Sequence, residues 1–376
     1  MLLVAGTDFV TAMSTEGEDQ SRCSVVFFAF QDTETVVRPI DETIPFDAYL
    51  PLDRLKARVN GASRNDTLCE LYRHTGVHQN RLHELPILSR ENIESGASLS
   101  DALSKVGGAL LTGFNPGPVI RPACGVSRQF FNQPMEYKGL FNKTRPSNMN
   151  VTGFNPLGYE IIGASNPRFS TSPMPVPIEF FKTMMPHTQN LPDDAIVQGF
   201  QSITIDAFEY LSNMARYVLT KLGQELWNDE NILLNIHQHM GTVDNFSRIR
   251  YTHYPPVPGK CFADGEVRAG KHTDYGTLTL SIQENPGLEI WNRANNEWIT
   301  VPMIEGAILV LAADNLETLT GCKIASTPHQ VVFKHTQPIR SLKSSNLLKT
   351  IEREVFLPND YATSNKAESV ELFASS

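Results

Sequence analysis

The stretch Lys271-His272-Thr273-Asp274-Tyr275-Gly276-Thr277-Leu278-Thr279-Leu280 sets an imidazole and a carboxylate two residues apart, at the mouth of a run that alternates like a strand. Side chains at i and i+2 of a strand share a face, so the spacing predicts that His272 and Asp274 reach one point. A second histidine stands further on, in Ala325-Ser326-Thr327-Pro328-His329-Gln330-Val331-Val332, again within a β-like segment. Two histidines and one carboxylate form the facial set that suits non-haem Fe(II) and leaves coordination positions open. A His-x-Asp alone is a common spacing that a solvated turn also produces. Its place at the head of an alternating strand, followed one sheet-length later by Ser-Thr-Pro-His-x-Val, is what gives it weight.

The surrounding sequence is strand-rich. Ser247 to Tyr254, Thr277 to Gln283, Leu288 to Asn292, Trp298 to Val301, Ala307 to Ala312 and Lys323 to Phe333 are short apolar or alternating runs, separated by Gly, Pro, Asn and Asp turns. That pitch predicts a sandwich or jelly roll. Upstream, Ser98 to Val106 reads as a short helix with serine capping candidates, and Gly107 to Phe114 reads as a buried strand. A long helix is expected from Pro192, because Ile196, Phe200, Ile203, Ala207, Leu211, Met214, Val218 and Leu222 recur at three- and four-residue steps. The proline- and glycine-rich segments between Phe114 and Pro177 read as loops at a cavity rim. His237-Gln238-His239 lies on an expected helix, where residues two apart diverge, so ligation there is not expected. Val25 to Phe30 reads as a buried strand within an otherwise illegible N-terminal region, whose His74, His78 and His83 share no pattern.

Composition narrows the function. The 376 residues are 41% hydrophobic and 19% charged, which is the balance of a globular chain. With 32 Lys and Arg against 41 Asp and Glu, the net charge of −9 comes with no basic stripe, arguing against nucleic-acid or anionic-membrane binding. Five cysteines lack paired spacing, so neither a zinc site nor a disulfide framework is indicated and a reducing, cytoplasmic setting is expected.

The segments His272–Leu280, Pro286-Gly287-Leu288-Glu289-Ile290, Gly306-Ala307-Ile308-Leu309-Val310 and Ser326–Val331 resemble the Fe(II)/2-oxoglutarate-dependent dioxygenases of the isopenicillin N synthase-like superfamily. The resemblance implies a mainly β chain with flanking α-helices and a double-stranded β-helix (jelly-roll) core. It divides the chain into an N-terminal extension at 1–84, a catalytic domain at 85–362 and a tail at 363–376. It implies Fe(II) held by His272, Asp274 and His329, with 2-oxoglutarate as co-substrate beside O2 and a small organic molecule. That molecule would be hydroxylated, desaturated or rearranged with release of succinate and CO2. In Arg250-Tyr251-Thr252-His253-Tyr254, alternation sets Arg250, Thr252 and Tyr254 on one face. Tyr254 matches a family position near the co-substrate, and Arg250 is a further candidate contact. The family's Arg-x-Ser, which grips the distal carboxylate, is expected after the last histidine; Arg340 falls there without its serine, and Arg353 is a second candidate. An iron oxidase or ethylene-forming type of chemistry, and a non-catalytic binding protein on the same scaffold, remain open alternatives.

Overall fold

The computed structural model describes residues 22–41, 84–142, 153–158, 161–162, 174–175, 178–184, 191–242, 244–256, 266–293 and 295–333. Arg340, Arg353, the histidines at 74, 78 and 83, and the tail at 363–376 lie outside them.

In chain order the strands are β1 (Arg22–Ala29), β2 (Ile87–Ser89), β3 (Gly108–Thr112), β4 (Gly153–Asn155), β5 (Ile161–Ile162), β6 (Met174–Pro175) and β7 (Glu179–Met184). They continue with β8 (Arg248–Tyr254), β9 (Val267–His272), β10 (Leu278–Gln283), β11 (Leu288–Asn292), β12 (Glu297–Thr300), β13 (Ile308–Ala312) and β14 (His329–Val332). The helices are α1 (Arg90–Glu94), α2 (Leu99–Val106), α3 (Gly117–Phe131), α4 (Met135–Gly139), α5 (Phe200–Trp227) and α6 (Asp314–Leu319). Eight strands form a major sheet in the order β2-β3-β13-β10-β1-β8-β7-β4, and four form a minor sheet in the order β12-β11-β14-β9.

Strand alternation sorts the major sheet into two faces. On one, Val25, Phe27 and Ala29 of β1, Ile249 and Tyr251 of β8, and Leu278 and Leu280 of β10 pack under the apolar stripes of α3 and α5. Phe130 of α3 meets Phe131, Phe141, Phe154 and Phe181 edge-on at 5.0–5.8 Å between ring centroids. Truncating such a buried ring costs about 3–5 kcal/mol. On the other face, Leu110, Leu309, Leu311 and Tyr254 close on Ala269, Leu288, Ile290 and Val331 of the minor sheet. Two antiparallel-dominated sheets thus enclose one interior, the jelly-roll arrangement.

Several expectations are met locally and shifted at their ends. Ser98 caps α2, its hydroxyl accepting from the Asp101 amide, and Gly107 closes the helix at φ 76°. The long helix begins at Phe200 rather than near Pro192, because Gly199 adopts φ 75° and ends the preceding turns. Ile196, counted into its stripe, is half exposed. The segment after Phe114 is not a rim of loops: α3 buries Ile120, Ala123, Cys124, Ser127, Phe130 and Phe131 at helical spacing. Its prolines conceal that stripe from a breaker count. Among the cysteines, Cys23 and Cys124 are buried thiols outside any disulfide, whereas Cys322 is disulfide-bonded, which the scattered spacing did not indicate. The largest difference is β1. It lies within the stretch assigned to an N-terminal extension, yet it is an interior strand of the major sheet, antiparallel to both β10 and β8.

Candidate functional site

His272, Asp274 and His329 come together as the spacing predicted, for a different local reason. His272 ends β9, and Asp274 sits beyond it in the loop leading to β10, so the two do not share one strand. The loop is clamped on both sides. The Asp314 and Asn315 amides at the start of α6 donate to the carbonyls of Asp274 and Gly276, each at 3.0 Å, and the Thr277 amide donates to the Ala29 carbonyl at 2.8 Å. Gly276 lies so close to that carbonyl that a Cβ would collide with it.

His329 is brought in by the sheet. It pairs directly with His272 in the β9–β14 ladder, whose register shifts just after it. Such an irregularity re-aims side chains at a sheet rim. The segment before it is fixed by the Thr327 amide on the Ala312 carbonyl at 2.9 Å, the Ser326 amide on the Glu317 carboxylate at 2.7 Å, and the Trp291 amide on the Pro328 carbonyl at 2.7 Å. The Thr327 hydroxyl donates to the Gly107 carbonyl.

The ligand atoms of the three side chains lie within 4.8 Å of one another, with His329 buried and the other two half-buried. His329 Nε2 stands 3.8 Å from Asp274 Oδ2, too long for a hydrogen bond. Each ring is already oriented. His272 Nδ1 donates to the Gly270 carbonyl at 2.8 Å and His329 Nδ1 to the Thr327 carbonyl at 2.9 Å. With Nδ1–H so used, the neutral tautomer presents the Nε2 lone pair, the arrangement found around metal-ligating histidines. The Thr279 hydroxyl donates to Asp274 Oδ2 at 2.6 Å and fixes the carboxylate from behind. Two neutral imidazoles and one carboxylate would leave one positive charge on a divalent iron, room for an anionic chelator.

The other expected residues make contacts of their own. Tyr254 is buried in the inter-sheet cluster with Ala269, Ile290 and Val331. Arg250 shares its strand face as alternation predicted, but the guanidinium lies 3.7 Å from the centroid of the Phe180 ring. Tyr275 packs against Phe30, Met184 and Phe246, and Trp291 meets Trp298 edge-on at 5.1 Å. His237 is a core residue: Nδ1 donates to the Leu233 carbonyl at 2.7 Å, Nε2 lies 2.8 Å from the Thr277 hydroxyl, and burial pushes it down to about 4. His239 instead pairs with Asp32.

Sequence reading passed over Arg22. It is buried, at 6% exposure, directly opposite Tyr254 in the β1–β8 ladder, with its guanidinium 5.2 Å from that ring. A signal was present. Arg22-Cys23-Ser24 followed by Val25-Val26-Phe27-Phe28 is an Arg-x-Ser ahead of an apolar strand, the pattern sought only after His329.

Residues 243–341, which contain all three members of the triad, match the family model described as the 2OG-Fe(II) oxygenase superfamily. The likeness to that family lies in this stretch of the chain. Related proteins include clavatol oxidase claD of Penicillium crustosum, 32% identical over 150 residues, or 39% of this chain and 43% of that protein. Naringenin,2-oxoglutarate 3-dioxygenase of Matthiola incana is 31% identical over 136 residues, 36% of each chain. The chain thus spans less than half the length of these curated relatives. Among solved structures, Neurospora crassa T7H in complex with alpha-KG superposes with a TM-score of 0.54 at 24% identity, covering 69% of this chain and 82% of that one. A 2OG-Fe(II) oxygenase family protein from Caulobacter crescentus gives 0.53 at 21% identity, over 72% of this chain and 99% of that one. At these identities the likeness is one of fold. Among the described residues, no helix is long and apolar enough to cross a membrane.

Proposed function

We propose that the chain is a non-haem Fe(II)- and 2-oxoglutarate-dependent oxygenase acting on a small organic molecule, with His272, Asp274 and His329 holding the iron. The observation that carries this reading is the oriented triad: two imidazoles with Nδ1 bonded to backbone carbonyls, converging on a carboxylate tied to Thr279. Two imidazoles and one carboxylate with open positions fit Fe(II). Bound there, iron(II) with 2-oxoglutarate and O2 supplies the power to oxidise an unactivated C–H bond, the keto acid leaving as succinate and CO2. The protein's own contribution is orientation and a dry interior. The clamped loop holds Asp274 in place, and Leu309, Leu311 and Ile290 keep the adjoining space apolar.

The names of matched relatives, clavatol oxidase and naringenin 3-dioxygenase among them, support small organic substrates and a setting in secondary metabolism. The domain reading keeps 85–362 as its catalytic body and joins β1 to it.

Anaerobic addition of Fe(II) and 2-oxoglutarate tests the proposal. A visible charge-transfer band is expected in the wild-type protein and is lost in His272→Ala, Asp274→Ala and His329→Ala, each still folded by circular dichroism. Iron binding without a band would favour an oxidase that does not chelate the keto acid. Normal iron stoichiometry in Asp274→Ala would remove the triad.

A further inference from the structure

We propose that the substrate is an organic carboxylate with a flat apolar body, its charge met by Arg248 with Arg250 and Lys182 behind it, and its body seated on Phe28 and Tyr275. This rests on the oxygenase reading above and names the substrate class of that site.

The first support is position. Across β10, β1, β8 and β7 the ladder registers set Thr279, Phe28, Arg248 and Met184 in one row. Their chain neighbours Leu278, Phe27 and Ile249 take the helix-packed face, so the row turns to the opposite one, toward the space between the sheets. Thr279 is the residue whose hydroxyl holds Asp274, so the row begins at the metal side. Arg248 stands two strands further on, roughly 10 Å away at ordinary sheet spacing. One ring fits between them.

The second support is charge. The next row on the same face is Ser281, Val26, Arg250 and Lys182. The two rows hold three cations and no carboxylate. Arg248, Arg250, Lys182, Val26 and Phe28 are half-buried, whereas Phe27, Ile249 and Tyr251 on the helix side are fully buried. Cations of one sign gathered in a partly dry cleft focus a field that draws an anion in. Such a field is needed here. Iron(II), Asp274 and a dianionic keto acid together carry a net negative charge, against which a substrate anion would otherwise have to enter.

The third support is the aromatic lining. The Arg248 guanidinium lies 4.9 Å from the centroid of Phe30 and 5.9 Å from that of Phe28. The Arg250 guanidinium lies 3.7 Å from the Phe180 centroid, and the Lys182 ammonium 5.7 Å from the same ring. Such ring contacts hold a cation in place before any ligand arrives. A guanidinium so held still offers the edge of its planar fork, which takes a carboxylate two bonds at a time. Phe28 and Tyr275 pack on the cluster of Phe30, Met184 and Phe246, and Tyr275 directly follows Asp274. Rings beside a fixed fork suit an acid whose remaining surface is flat and apolar.

The test uses the full chain with Fe(II) and 2-oxoglutarate, held anaerobic, and follows the visible band as a further ligand is added. Cinnamate, 3-phenylpropanoate and 2-naphthoate are each titrated beside the corresponding amide, which keeps the body and loses the charge. At least one acid should perturb the band and bind roughly tenfold or more tightly than its amide. In Arg248→Met that acid should weaken roughly ten- to a hundredfold, while its amide and 2-oxoglutarate titrate as before. Arg248→Lys should keep part of the preference, since an ammonium retains the charge without the fork. Amides that bind as well as the acids, a panel in which no acid perturbs the band, or a preference that survives Arg248→Met would each overturn the proposal. So would an Arg248→Met protein that loses 2-oxoglutarate instead. If Arg248→Met does not fold, Arg248→Lys and Lys182→Met carry the comparison: the preference for the acid falls in both, and an unchanged preference overturns the assignment. A wild-type band with no preference for acids sinks the substrate class alone; no band at all with Fe(II) and 2-oxoglutarate sinks the oxygenase reading and the substrate class with it.

Discussion

His272 and His329 stand opposite each other across the β9–β14 ladder, their rings 4.2 Å apart between centroids and tilted by 53°. Neither side chain has to search for the other. The ladder fixes the backbones and a carbonyl two residues back fixes each ring, so little side-chain entropy is left to lose on binding an ion.

The carboxylate depends on Thr279 in the same way. Thr279→Val keeps the shape and removes the hydroxyl that donates to Asp274 Oδ2. Fe(II) affinity should fall roughly ten- to a hundredfold, as for other groups that orient a ligand. Thr279→Ser should restore most of it. Anaerobic titration against a competing chelator measures both; an unchanged affinity in Thr279→Val would show that the clamped loop alone sets Asp274.

Gly276 meets the Ala29 carbonyl where a Cβ would have to go. Gly276→Ala should cost about 1–3 kcal/mol, because backbone lies on both sides of the contact and one must shift. The control is Gly125 in the middle of α3, where a Cβ meets nothing within 4 Å. Gly125→Ala should stabilise by about 0.5–1 kcal/mol through helix propensity. Urea midpoints of the two variants should move in opposite directions.

Glu179 lies between Lys138 and His253 on the helix side of the sheet. Lys138 Nζ bonds both carboxylate oxygens at 2.9 and 3.1 Å, and His253 Nδ1 lies 2.9 Å from Oε1. Burial alone would raise the Glu179 carboxyl, but His253 and Lys138 outweigh it and hold the group below its usual value. Glu179→Ala strands the buried ammonium and should cost about 3–5 kcal/mol. Removing both charges with Lys138→Met and Glu179→Leu should recover much of that loss in chemical denaturation, and a double variant as unstable as the single would show that packing, not charge, was lost.

His237 makes stability depend on mildly acidic pH. Its pKa is lowered from 6.5 to about 4, with burial as the largest cause. The unfolded chain therefore takes up a proton between those values while the folded protein does not. Stability from this residue is complete above about pH 6.5 and is lost as the pH falls toward 4, a loss of about 3 kcal/mol. His237→Gln should flatten the denaturation midpoint over that window, whatever it does to stability at pH 8. A slope as steep as the wild type's would place the proton uptake elsewhere.

Much of the site was legible because its signals are local. A His-x-Asp ahead of an alternating run, the Ser-Thr-Pro-His segment, and the short helix with its serine caps each depend on residues within a few positions of one another. Their periods survive in any tertiary context that buries one face. Strand ends were harder. Lys323 to Pro328 reads like the strand it precedes, but its amides at Ser326 and Thr327 are used by Glu317 and Ala312, so β14 begins only at His329.

What the sequence by itself determined is the candidate triad of His272, Asp274 and His329 and the sheet-rich class that presents it. What only the tertiary structure decided is which distant segments complete the site. Asp274 reaches His272 through a loop held by α6 and Ala29, not through strand alternation. β1 enters the centre of the major sheet from the start of the chain, pairing Arg22 with Tyr254 and Phe28 with Thr279, more than 200 residues away in each case. Periodicity records which face of a strand is buried but not which neighbours it takes. The choice of neighbour is made by the hydrogen bonds and apolar surface of the assembled sheet.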